Sequence, residues 1–178
     1  MKASRVLAVS SFFAAAALFC INQRVHATKP DASKPTVDAT SAFSRLKALT
    51  GEWDVDSAQG KGHSRFELIA NNSVVLEHFT APGAEEMLTA YHLDGKQLVL
   101  THYCMAGNQP HMFAEKFNGA TGELNFAFAG GSNIASGGGH MHDVSYRLLS
   151  ADQFDATWNF VEAGKVKFTE VMHYTRAR

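Results

Sequence analysis

Two short motifs bring together the side chains in this sequence that are best able to do chemistry: His102-x-Cys104 and His140-x-His142. In an extended chain each pair puts two donor atoms on one face, about 7 Å apart. Three imidazoles and a thiolate suit zinc or copper, so His102, Cys104, His140 and His142 are candidate metal ligands. The same residues admit other chemistry. One inward histidine, His102 or His142, could serve as the axial ligand of a haem. Cys104 beside a histidine could form an activated thiolate, and Glu170 beside one an acid–base pair. Neither dyad is defined by spacing along the chain. The plainest alternative is a core imidazole bonded to a neighbour and a small buried thiol. His140-Met-His142 lacks the glutamate of a cupin motif, Tyr146 and Arg147 standing near where it belongs. No phosphate-cradling glycine loop and no nucleophile elbow occurs.

These residues need strands to position them. From Gly51 onward, period-2 segments alternate with turn residues. Candidate strands are 52–57, 63–70, 74–80, 86–93, 97–105, 111–117, 123–129, 140–149, 154–161 and 165–174. Asn71-Asn72, Asp94-Gly95, Asn118-Gly119, Ser150-Ala-Asp152 and Ala163-Gly164 supply tight reversals between them. The stretch 129–139 contains five glycines and reads as a loop at one rim. Before the first strand, Ser41 can cap a short helix over 42–49 that shows Phe43, Leu46 and Leu49 on one face, with Gly51 as its stop. About ten short strands joined by hairpins must close or stack, because open edges invite aggregation. Even alternation and short links predict an all-β fold: an antiparallel up-and-down barrel of about 8–10 strands with a short N-terminal capping helix.

Strand parity then says which side chains face inward. Leu98 and Leu100 turn His102 and Cys104 into the barrel. Val144 and Leu148 do the same for His140, His142 and Tyr146. Val166 and Phe168 carry Glu170, Met172 and Tyr174 inward. In 74–80 the two faces conflict, Val74 and Leu76 opposing Val75 and Phe79, and a bulge would reverse any of these assignments. The predicted interior has walls of Leu68, Phe126, Phe128, Phe154, Trp158 and Phe160. His102, Cys104, His140, His142, Tyr146 and Glu170 form its polar cluster.

The run Phe43-x-x-Leu46-x-x-Leu49-x-Gly51-x-Trp53 resembles the opening of lipocalin-like barrels, where a helix closes one end and Gly-x-Trp sets an indole at the floor. Tyr91-His-Leu-Asp-Gly95, Leu100-Thr-His-Tyr-Cys104, Gly107-Asn-Gln-Pro110 and Gly139-His-Met-His142 resemble blocks of an exported bacterial family of unknown function with calycin-type barrels. The resemblance runs from about Phe43 to the end of the chain. It implies a fold and a location but no activity.

The first 27 residues read as a secretory signal: Lys2 and Arg5, an apolar run from Val6 to Ile21, then Val25-His26-Ala27. Cleavage is expected after Ala27, which makes the protein periplasmic or secreted. Lipidation at Cys20 is disfavoured by the bulky Phe19 before it. The apolar run is short for a membrane span, and no second one follows. Thr28–Thr40 reads as a disordered linker, and 41–178 as the barrel domain. Without Lys2, Arg5 and Arg24, 13 basic residues face 17 acids, a net charge of −4 that offers nothing to nucleic acid. Cys104 is then the only cysteine, so no intramolecular disulfide forms. The sequence therefore predicts an exported barrel that holds a small, partly apolar molecule, oriented by the His/Cys/Glu/Tyr cluster. The alternatives are a metal protein or barrel enzyme using His102, Cys104, His140 and His142, or a structural envelope protein with a filled barrel.

Overall fold

The computed structural model describes residues 37–178. The expected signal and most of the expected linker lie outside the described residues. The described chain enters α1 (Ala39–Lys47) three residues ahead of the helix start predicted at Ala42. Asp38 is the N-cap: its carboxylate accepts the Ser41 backbone N–H at 3.0 Å and the Ser41 hydroxyl at 2.7 Å. A charged acceptor there satisfies orphan donors and opposes the positive end of the helix. The earlier start lets Ala39 and Ala42 join Phe43 and Leu46 on the buried face.

Ten strands follow: β1 (Gly51–Ser57), β2 (Gly60–Ile69), β3 (Val74–Thr80), β4 (Met87–Asp94), β5 (Gln97–Tyr103), β6 (Gln109–Asn118), β7 (Glu123–Ser132), β8 (His140–Leu148), β9 (Gln153–Glu162) and β10 (Lys165–Arg176). Each pairs antiparallel with the next, and β10 pairs with β1 to close the barrel, setting Val55 opposite Tyr174. The fold is therefore the all-β, up-and-down, calycin-like barrel the alternation predicts. No helix among the described residues is long and apolar enough to cross a membrane.

The two ends of the barrel differ. At the α1 end, aromatic rings fill the lumen: Trp53 meets Phe154 edge-on at 4.8 Å, and Phe154 stacks on Tyr174 at 4.1 Å. The fully buried Trp53 donates its indole N–H to the Leu49 carbonyl at 2.7 Å, which ties the first strand to the end of the helix. Arg176 closes this floor. Its guanidinium lies 4.3 Å from the Trp53 ring and donates to the carbonyls of Thr50, Ala48 and Ala151. Gly51, at φ +127°, leaves room for it, since a Cβ there would come within 2.9 Å of the Arg176 Nη1. At the opposite end the loops 58–59, 81–86, 104–108, 133–139 and 163–164 form an open rim.

Candidate functional site

The open end leads into a cavity of about 510 Å³. Phe79, Trp158 and Phe160 and the thioethers of Met87, Met141 and Met172 give it largely apolar, adaptable walls. Its polar lining falls in two places. Ser57, Gln59, Lys61 and Glu170 lie toward the mouth, where Gln59 donates to Glu170 Oε2 at 2.6 Å. The second place is deeper and is built by register. Glu77 on β3 pairs with Thr89 on β4, and Thr89 pairs with His102 on β5. Side chains in register on adjacent strands point to the same face, so the three form one polar row across the wall.

All three residues of the row are buried. Glu77 accepts from the Ser64 hydroxyl at 2.8 Å and from the Tyr174 and Tyr91 hydroxyls, each at 3.1 Å. The Tyr91 and Tyr146 hydroxyls lie 2.6 Å apart, so the network ties five strands together beneath the cavity. Burial raises the Glu77 carboxyl above the usual carboxylate range, against the three hydroxyl donors that favour its ionised form. At the other end of the row His102 shares a 3.0 Å hydrogen bond between Nδ1 and the Thr89 hydroxyl. Its ring lies 5.0 Å from Trp158 across the lumen, and burial pushes its pKa down to about 4. His102 is thus a neutral imidazole, and its buried Nε2 has no hydrogen-bond partner among the described residues.

The six residues predicted to face inward divide into three groups. His102, Cys104 and Glu170 line the cavity. Tyr146 lies inside the barrel but beneath the cavity, bonded to Tyr91. His140 and His142 are absent from the lining, and Met141 between them takes the inward position. The reason is a break in register between Met141 and Asp143, where β8 carries one residue more than β9. This bulge reverses the parity that Val144 and Leu148 transmit toward the start of the strand. The two imidazoles bond to each other at 3.1 Å, His140 bonds the Gly138 carbonyl at 2.9 Å, and His142 stacks on Phe128 while His140 lies tilted against the same ring. The acid–base pair of Glu170 with a histidine does not form among the described residues, Glu170 accepting from Gln59 instead.

The metal quartet of His102, Cys104, His140 and His142 is accordingly not assembled. Among the described residues no group of three or more His, Cys, Asp or Glu side chains is placed to hold a metal. Cys104 makes no hydrogen bond to His102, and burial raises its thiol pKa, which favours the protonated form. A second break in register, between Val166 and Phe168, leaves Val166 on the outside while Phe168 reaches the cavity. Sequence parity missed Glu77 and Thr89. The available signal was an acid spaced by two from both Val75 and Phe79, beside an outward His78 that pairs with Glu67 and Glu86.

Comparison with known proteins supports the fold. No family profile matches the chain, and no curated protein matches it. Among solved structures, Rv2717c from M. tuberculosis superposes with a TM-score of 0.51 at 15% identity, over 77% of this chain and 98% of that one. The two share a barrel. A DUF3598-family protein of unknown function from Nostoc punctiforme, Npun_R4044, aligns at 9% identity with a TM-score of 0.41, over 74% of this chain and 49% of its own.

Proposed function

We propose that this protein is an exported carrier that holds one small, largely apolar molecule in the open half of its barrel. The observation that carries the reading is the roughly 510 Å³ cavity whose apolar wall is interrupted inside by one polar row, ending in an imidazole with an unpartnered nitrogen. Ligand sites have this composition: apolar surface for affinity and a few fixed polar groups for orientation. His102 orients the ligand, Thr89 holds the imidazole, and Cys104 and Glu170 lie along the path from the mouth. Export is supported by Lys2, Arg5, the apolar run and Val25-His26-Ala27.

The test is titration with an uncharged phenyl-naphthylamine dye, which fluoresces in apolar surroundings. Saturable one-to-one binding is expected. Cys104→Trp, which places an indole in the cavity, should abolish it while leaving the circular-dichroism spectrum unchanged. Equal binding by the filled variant would place the dye elsewhere and remove the support. Export is checked by sequencing the mature protein from its source, which should begin at Thr28 without lipid; an acylated Cys20 at the N-terminus would contradict it.

A further inference from the structure

The hydrogen bond between Thr89 and His102 decides which ring nitrogen carries the proton, and with it what the ligand must offer. Thr89 and the neutral imidazole together hold two polar hydrogens. In one arrangement the Thr89 hydroxyl donates to Nδ1 and the ring proton sits on Nε2. Only the Nε2–H then lacks a partner. In the other, Nδ1–H donates to the Thr89 oxygen. That leaves the buried threonine hydroxyl hydrogen without an acceptor as well as Nε2 without a donor, since His102 is the one partner this hydroxyl has among the described residues. Each buried polar group left unpaired is costly, so the arrangement with one orphan is preferred over the one with two.

We infer that the cavity ligand is an uncharged, largely apolar molecule with a carbonyl-type oxygen, and that this oxygen accepts a hydrogen bond from His102 Nε2–H. The inference rests on the carrier reading above and narrows its ligand class. Two further observations point the same way. The imidazole stays neutral in the folded barrel, so it offers a dipole and no full charge to a ligand. Among the described residues no lysine or arginine lines the cavity below Lys61 at the mouth, and the one acid in the row, Glu77, has its oxygens occupied by three hydroxyls. A carboxylate or phosphate would therefore be buried without a cation to pair it, an unfavourable placement for a charge.

The experiment displaces the naphthylamine dye at pH 7 with three compounds of equal chain length: methyl heptyl ketone, nonane and nonanoate. The ketone should displace the dye at lower concentration than nonanoate. His102→Leu should weaken the ketone about tenfold, the worth of one hydrogen bond to a buried donor, and leave nonane unchanged. His102→Gln keeps an N–H donor and should restore much of the loss. Nonanoate binding tightest, or a ketone-to-nonane ratio unaltered by His102→Leu, would overturn the inference while leaving the carrier reading in place. Failure of the dye and of all three compounds to bind would overturn both. Nitrogen NMR of the ligand-free protein reads the tautomer directly: Nε2–H is expected. A proton on Nδ1, or coordination of Nε2 to a metal or haem iron through its lone pair, would contradict the inference.

Discussion

His102 and Glu77 sit at the two ends of one row, and burial acts on them with opposite signs. For His102 the folded pKa of about 4 lies below the ordinary 6.5, so between these values the unfolded chain binds a proton that the barrel refuses. Stability is then lost as pH falls from 6.5 toward 4, by on the order of 3 kcal/mol if the group acts alone. Urea unfolding across this range should show the loss, and His102→Gln should flatten it. Glu77 works the other way. Its folded pKa is raised, so its contribution is complete below 4.5 and is lost as pH rises through the folded value. Glu77→Gln should remove that dependence at modest cost. Glu77→Leu removes the acceptor shared by the Ser64, Tyr91 and Tyr174 hydroxyls and should cost about 2–3 kcal/mol in the same assay. Of the row, only His102 was legible in the sequence, because Leu98 and Leu100 state the parity of their strand without contradiction. Glu77 was hidden because β3 is apolar on both faces: Val74 and Leu76 are half-buried outside while Val75 faces the core.

Strands and turns were readable because a period of two and the reversal residues between strands are local properties. Bulges are not local, since the extra residue is defined only against the partner strand. One such residue in β8 exchanges Met141 for His140 and His142 at the cavity, and with it the sequence-level metal set. At the N-terminal helix the contest is local: Asp38 outcompetes Ser41 as the cap because it accepts from Ser41 twice. The element that depends most on a single side chain is the barrel floor. Arg176 donates to carbonyls at the end of α1, before β1 and between β8 and β9, and its planar face covers Trp53. Lysine has neither the fork nor the plane. Arg176→Lys should therefore cost about 1–2 kcal/mol and Arg176→Ala more, read as a lowered urea midpoint with unchanged slope. Gly51→Ala should mimic part of the loss, because its Cβ would crowd the same guanidinium and its backbone angle favours glycine.

As a whole, the molecule is a ten-stranded barrel filled at one end and open at the other. The filled half, with Trp53, Phe154 and the Glu77 tyrosine network, fixes the shape without needing a ligand. The open half keeps a cavity of about 510 Å³ lined by residues from strands around the ring. Burial of an apolar ligand there should give a negative heat-capacity change of binding, measurable by titration calorimetry at several temperatures, and a positive change would contradict apolar burial. A carrier has this space occupied in its own setting. Native mass spectrometry of the protein purified from the cells that make it tests this most directly. A complex heavier than the bare chain by one small organic molecule, released on denaturation, is the predicted result. The mass of the bare chain under both native and denaturing conditions would contradict it.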